Sequence, residues 1–288
     1  MPHYAGPAMS TYLAEIVASH RRRAAADGRD LEELAARALA CPATRPFSAA
    51  LRGAGRGPGA APAHELSVIA EVKRRSPSRG PLAPDLDAAS VGRAYAAGGA
   101  TCLSVLTDAD FFGGSAADLA AARDASGLPV LRKDFTVCEA DVCDARLMGA
   151  DAVLLIVAAL SHEELGALHG LATRLGLDAL VEVHDEEELD RALDAGARLV
   201  GVNQRDLASF AVDSERAARL ASRIPPEVVA VAESGIRGAD DARRMARAGY
   251  DAVLVGETVV TASDREAAVR ALCGYRVSAR AAREHAER

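Results

Sequence analysis

The chain has 288 residues, half of them hydrophobic, and a net charge of −7, so it can bury a large core but offers no general attraction to nucleic acid or to acidic membranes. No apolar run approaches the roughly 20 residues that span a bilayer, and Met1 to Ser10 shows no charged segment followed by an apolar one, as a secretory leader would. Five cysteines, odd in number and without C-x-x-C spacing, read as reduced thiols of a cytoplasmic protein; Cys138 and Cys143 have no second pair or nearby histidine, so no metal is expected.

In chain order, Ser10 to Ala26 predicts an amphipathic helix, with Leu13, Ile16 and Val17 on its apolar side. Asp30 followed by Glu33 predicts the start of a second helix, ending near Leu39. Residues 52–64 are rich in Gly, Ala and Pro and read as a linker. Their Gly53-Ala-Gly55-Arg-Gly57 follows no strand and opens no helix, so it is not taken for a phosphate loop. Residues 1–64 are therefore expected to be a helical extension and linker, and 65–288 a single catalytic domain. In that domain β-branched runs alternate with helical stretches, giving strands at 67–73, 101–106, 129–133, 152–157, 179–183, 198–203, 228–233 and 251–255. Ser115, Ser161 and Asp185, each with an acidic residue three positions on, predict helix starts. Gly99-Ala100, Gly149-Ala150, Gly196-Ala197 and Gly249-Tyr250 recur at roughly fifty-residue steps, two strand–helix units each. Such alternation implies a parallel sheet, and eight paired units predict an α/β fold closed as a (β/α)8 TIM barrel. No G-x-G-x-x-G follows the first strand, which argues against a dinucleotide-binding sheet.

The stretch Val68-Ile-Ala-Glu-Val-Lys-Arg-Arg-Ser-Pro-Ser-Arg79 begins as a strand and ends in a turn at Pro77. Alternation puts Ile69, Glu71 and Lys73 on one face, so a carboxylate and an ammonium leave the strand end together. Of 34 basic residues only Lys73 and Lys133 are lysines, and Asn203 and Gln204 are the single residues of their kinds. A chain that otherwise uses arginine for positive charge keeps lysine where a proton must be released, because a guanidinium does not give one up.

In a barrel of this kind the active site lies at the C-terminal strand ends. The first strand presents Glu71, Lys73 and then Ser76, and the third presents Lys133 and Phe135 on one face. The fifth presents Glu182 and His184, the sixth ends in Asn203-Gln-Arg205, and the seventh runs into Glu233-Ser234-Gly235. The eighth runs into Gly256-Glu257. The Gly-bearing turns at Ser234, Gly235, Gly256 and Glu257, ahead of helices, match the usual phosphate seat of the fold, with the Glu257 side chain turned away and its N–H inward. His184 reads as a structural, hydrogen-bonded histidine. Lys133 and Glu182 can act as acid and base if burial brings their pKa values toward neutrality. Phe111, Phe112 and Phe135 imply a flat apolar moiety in the ligand, and Arg205 and Lys73 imply anionic groups on it. The residues together suggest a lyase or isomerase for a phosphorylated, aromatic, carboxylated small molecule.

Ile69-Ala-Glu-Val-Lys-Arg-Arg-Ser-Pro-Ser78, Leu103-Ser-Val-Leu-Thr-Asp108, Phe112-Gly-Gly-Ser115, Leu131-Arg-Lys-Asp-Phe135, Leu180-Val-Glu-Val-His184, Gly201-Val-Asn203, Arg205-Asp-Leu207 and Ala232-Glu-Ser-Gly-Ile236 closely resemble indole-3-glycerol phosphate synthase, in order, from about residue 10 to 272. The resemblance implies a barrel with a helical extension, no cofactor, and conversion of 1-(2-carboxyphenylamino)-1-deoxyribulose 5-phosphate to indole-3-glycerol phosphate in tryptophan synthesis. It implies Lys133 as general acid, Glu182 in dehydration and rearomatisation, and Lys73 as anion ligand or second acid. It implies that Glu71, Asn203, Glu233 and Ser234 orient groups, and that Phe112 and Phe135 line the anthranilate pocket with Leu154 and Ile156 beneath. Arg205 would join the polar network at the mouth. A monomer or weak dimer, without nucleic-acid or membrane partners, is expected. Gln204, the Gly256-Glu-Thr-Val turn and the segment from Cys138 to Cys143 depart from the common family pattern. The alternatives are a related isomerase, which would need an inward Cys and Asp pair, and a non-catalytic barrel subunit of a pathway complex, which should have lost Lys133 or Glu182.

Overall fold

Eight short runs of Val, Leu, Ile and Ala become parallel strands because both of their faces find apolar cover. The computed structural model describes residues 11–53, 65–77, 79–206 and 211–280. The barrel strands are β1 (Ser67–Val72), β2 (Cys102–Leu106), β3 (Val130–Lys133), β4 (Ala152–Ile156), β5 (Asp178–Val183), β6 (Leu199–Asn203), β7 (Val229–Glu233) and β8 (Ala252–Val255). Each pairs in parallel with the next, and β8 returns to β1 with Leu254 beside Ile69, so the sheet closes without an edge. Every residue of β1, β2, β4, β6, β7 and β8 is buried, as parallel strands clad in helices must be. The strand ends lie within one residue of the expected ones; Val157, expected to end the fourth strand, instead opens a 3-10 turn over Val157–Ala159.

Helices α1 (Thr11–Ala25), α2 (Leu31–Leu39) and α3 (Phe47–Leu51) precede the barrel. Then come α4 (Ala88–Ala97), α5 (Ala116–Ser126), α6 (Glu139–Leu147), α7 (His162–Arg174), α8 (Glu186–Asp194), α9 (Arg216–Ala221), α10 (Ala239–Ala248), α11 (Glu257–Val260) and α12 (Arg265–Arg270). The side chains of Asp30, Ser115, Ser161 and Asp185 accept N–H groups of the first turns they precede, as their spacing predicts. Gly99, Gly149, Gly196 and Gly249 take φ of 94°, 85°, 87° and 92°, the left-handed conformation that stops a helix and turns the chain into the next strand. The repeat extends to the aspartates that follow. Asp151 accepts the N–H of Val130 and Asp251 that of Ala230, so the third and fourth strands are tied as the seventh and eighth are.

The N-terminal segment touches both ends of the barrel. Its third helix, too short for its periodicity to show in sequence, sets the fully buried Phe47 and Leu51 against the strand beginnings. There Ser48 N–H donates to Asp178 at 2.8 Å and Ser67 Oγ to the Leu51 carbonyl at 3.0 Å. At the opposite end α1 turns Leu13, Ile16 and Val17 inward. Leu13 and Val17 above, and Phe47 and Leu51 below, belong to the same apolar cluster as the barrel interior of Ile69, Leu131, Leu154, Leu180, Val231 and Leu254. Between them Arg29 pairs with Asp144 at 2.8 Å, fastening the start of α2 to α6. Ser10 and all of the expected linker beyond Gly53 lie outside the described residues.

Candidate active site

Strand register brings the rare polar residues to one mouth. A cavity of about 430 Å³ opens at the C-terminal strand ends. Its walls hold Glu71, Lys73, Ser76, Phe112, Lys133, Phe135, Leu154, Ile156, Glu182, Asn203, Arg205, Glu233, Ser234, Gly235, Gly256 and Glu257 together. Ser78 and Leu207 lie outside the described residues. No cysteine lines the cavity among the described residues, so the Cys and Asp pair of the isomerase alternative is not assembled there.

Lys133 Nζ lies at the centre. It donates to Glu182 Oε2 at 3.0 Å and stands 3.6 Å from Glu233 Oε2. Asn203 Nδ2 holds the other Glu182 oxygen at 3.1 Å. Lys73 pairs with Glu71, which also accepts from Ser104 Oγ at 3.4 Å. Two glycines make room for this network. A Cβ on Gly201 would stand 2.0 Å from Glu233 Oε1, and one on Gly256 would stand 2.3 Å from Glu71 Oε1. Both positions are therefore closed to any larger residue unless a buried carboxylate moves.

The charge states differ from the expectation that burial brings Lys133 and Glu182 toward neutrality. Burial works in that direction for both, but it is outweighed. Glu182, Glu233 and Glu71 hold the Lys133 ammonium above its ordinary range despite its burial. Burial raises the Glu182 carboxyl, yet the Lys133 charge, His184 and the Asn203 hydrogen bond bring it down to about 2. The group that does move toward neutrality is Glu233. Burial and the adjacent Glu182 charge push its carboxyl up to about 8, against the pull of Lys133. The free site is thus an ammonium–carboxylate pair beside a carboxyl that favours its proton.

His184 is only half satisfied. Its Nδ1 lies 3.0 Å from Glu188, but its buried Nε2 has no hydrogen-bond partner and stands 3.7 Å from Glu182 Oε1. Burial lowers its pKa, and the two glutamates more than reverse that.

The two sides of the cavity contrast. On one, Phe112 and Phe135 stand with centroids 6.1 Å apart, and Leu154 and Ile156 line the same cavity. On the other, Ser234 and Gly235 adopt φ of 64° and 72°, a left-handed turn braced by Gln204 Nε2 on the Ser234 carbonyl at 2.8 Å. Such turns gather N–H groups that face an anion. Thr258 Oγ1 ties this turn to the Gly256 loop through the Ile236 carbonyl at 2.8 Å. The Glu257 side chain meets Arg79 at 3.0 Å. Arg205 N–H donates to Asn203 Oδ1 at 3.0 Å.

Tyr12, Leu13 and Ile16 of α1, and Arg79, also line the cavity. Sequence reasoning did not place them there. The sequence suggests that the extension helps close the site, but not which residues of α1 reach it. Among the described residues one cluster has metal-compatible spacing: His20, Asp108 and Asp134, all buried. Its aspartates are already occupied by Arg23, Arg132, Thr107 and backbone N–H groups, so it reads as a tie between segments.

Fold and site define the class: a (β/α)8 barrel whose mouth joins a lysine–carboxylate centre to an apolar wall and a glycine-bearing turn. The sequence profile of indole-3-glycerol phosphate synthase matches residues 13–272. Indole-3-glycerol phosphate synthase 2 of Streptomyces coelicolor is 50% identical over 271 residues, 92% of this chain and 100% of that protein. Indole-3-glycerol phosphate synthase of Nocardioides sp. is 56% identical over 208 residues, 72% of this chain and 80% of that one. Among solved structures, 3-hexulose-6-phosphate synthase from Salmonella typhimurium shares the fold alone, with a TM-score of 0.56 at 14% identity over 72% of this chain and 96% of that one. The chain belongs to the indole-3-glycerol phosphate synthase family.

Proposed function

We propose that the protein closes, decarboxylates and dehydrates 1-(2-carboxyphenylamino)-1-deoxyribulose 5-phosphate to indole-3-glycerol phosphate, with Lys133 and Glu182 moving the protons. The observation that carries the assignment of roles is the Lys133–Glu182 pair at 3.0 Å, set between the phenylalanine wall and the Ser234–Gly235 turn. Attack of the ring carbon on the ketone puts negative charge on the ketone oxygen, and Lys133 Nζ supplies the proton. The carbon–carboxylate bond then breaks, carbon dioxide leaves, and its bonding pair restores the aromatic ring. The new hydroxyl departs as water with a proton from the second ammonium, Lys73. Glu182 takes the proton from the carbon next to nitrogen, which completes the indole. Glu182 returns that proton to Lys133, and solvent makes up the one consumed by decarboxylation. Because the free site already holds Lys133 charged and Glu182 ionised, acid and base are preset before substrate enters.

Glu71, Asn203 and Glu233 keep these groups in place, while Phe112, Phe135, Leu154 and Ile156 receive the aromatic ring. Ser234, Gly235, Gly256 and the Glu257 N–H receive the phosphate, largely by main chain, and Ser76, Lys73 and Arg205 meet the remaining polar groups. Residues 1–64 serve the catalytic barrel of 65–288 as an extension. The reduced cysteines and modest negative charge fit a cytoplasmic monomer or weak dimer. No helix among the described residues is long and apolar enough to cross a membrane. The test is direct: purified protein and the carboxyphenylamino substrate, with indole fluorescence followed over time. Product formation abolished by Glu182→Gln is expected; no product from the parent protein rejects the assignment.

A further inference from the structure

Two aspartates, each adjacent to one phenylalanine of the aromatic wall, converge on a single imidazole of the N-terminal helix. Asp108 Oδ1 accepts the backbone N–H groups of Phe111 at 2.6 Å and Phe112 at 3.2 Å, which fixes the loop after β2. Asp134 Oδ1 accepts the N–H of Phe135 at 2.9 Å, and its other oxygen is held by Arg132 at 3.0 Å and by Thr107. His20, on α1, has its Nε2 3.0 Å from Asp108 Oδ2 and 3.8 Å from Asp134 Oδ1. The same ring packs on Phe135 with centroids 5.5 Å apart. His20 is only 6% exposed and the Asp108 side chain 0%, so the contact is shielded from solvent. Nε2 can donate to Asp108 in one tautomer or accept from the Arg23 guanidinium, 2.7 Å away, in the other. The half-exposed Arg23 also stands 3.6 Å from Asp108, so both side chains of α1 meet the same carboxylate.

We propose that His20 is a positioning residue for the aromatic subsite: docked α1 sets the separation of Phe112 and Phe135 through Asp108, and thereby the fit of the substrate ring. The physical reason is the distribution of partners. Asp108 spends one oxygen on the Phe112 loop and the other on α1. If His20 is lost, a buried carboxylate loses a donor and turns or draws in water, and the two N–H groups it holds are released with it. Phe112 then moves relative to Phe135, while the Ser234–Gly235 turn, on another part of the mouth and braced by Gln204, is untouched. The ligand class, an aromatic carboxylate joined to a sugar phosphate, rests on the function proposed above; the linkage between helix and loop does not.

The experiment uses the full chain with His20→Leu, which keeps the buried apolar volume, and His20→Gln, whose side-chain amide nitrogen falls near imidazole Nε2. Amide hydrogen exchange at Phe111 and Phe112 is measured without ligand, then KM and kcat for the carboxyphenylamino substrate, and the inhibition constant of ribulose 5-phosphate, which lacks the ring. His20→Leu is expected to speed exchange at both amides and raise KM, each about tenfold, the loss of one buried charge-assisted hydrogen bond. Both kcat and the ribulose 5-phosphate constant should stay within about threefold, and His20→Gln should restore KM and exchange. Unchanged exchange, equal weakening of both ligands, or no rescue by glutamine overturns the proposal. If the parent protein does not turn over the substrate, the functional assignment fails and the exchange pair alone decides the linkage. Should His20→Leu not fold, His20→Asn, too short to reach Asp108, takes its place.

Discussion

Lys133 shows why residue type matters beyond charge. An arginine there keeps a cation beside Glu182 and Glu233, but its guanidinium holds its proton throughout the accessible pH range. Lys133→Arg is therefore expected to lose about 10²–10⁴ in the rate of ring closure while substrate affinity moves less than about tenfold. Single-turnover kinetics separates that step from product release, and turnover within a few fold of the parent would reduce Lys133 to an electrostatic anchor. Glu233 gives a second prediction of opposite kind. Its folded pKa of about 8 exceeds the value of an exposed glutamate, so between pH about 4.5 and 8 the folded state binds more protons than the unfolded one. Stability attributable to this group is thus present at low pH and lost as pH rises through that window. Glu233→Gln, which cannot ionise, should gain melting temperature over the parent progressively from about pH 5 to 8 and level off above it. Parallel melting profiles would show that the carboxyl is not held neutral.

At the scale of elements, α1 and α3 are attached to opposite ends of the same barrel and do different things. The first lends Leu13 and Ile16 to the cavity wall, the second buries Phe47 and Leu51 beneath the strands. Removal of residues 1–45 takes away α1 and α2 but leaves α3. The truncated protein is expected to fold, with a clearly raised KM because the mouth loses an apolar wall. Unchanged kcat and KM in that variant would mean that α1 contributes nothing to the site. The glycine-ended helices were legible in sequence because a left-handed C-terminal glycine is a local requirement. The same holds for the capped starts at Asp30, Ser161 and Asp185. The five-residue α3 was not legible, since one turn of helix carries no period and its stability comes from the barrel base it meets.

At the scale of the whole molecule, closure of the sheet leaves a column of apolar side chains that must be stopped at the end away from the mouth. Phe47 does this, fully buried against the strand beginnings. Phe47→Ala should cost about 3–5 kcal/mol of stability, read by denaturant unfolding, with KM little changed because the lesion is remote from the strand ends. A stability loss below about 1 kcal/mol would mean the base collapses around the gap. Local chemistry alone determined much of this protein. Runs of β-branched residues between capped, glycine-ended helices dictated eight parallel strands, and alternation within each strand placed Glu71, Lys73, Lys133, Glu182 and Asn203 at one end. What only tertiary structure decided involves groups far apart in sequence. The proton on Glu233 depends on Glu182 and on the space left by Gly201. The ion pair of Lys133 depends on a strand some fifty residues onward. The seat of α1 depends on Asp108, which no periodicity reveals, because a helix advertises its apolar face but not the surface that face will meet.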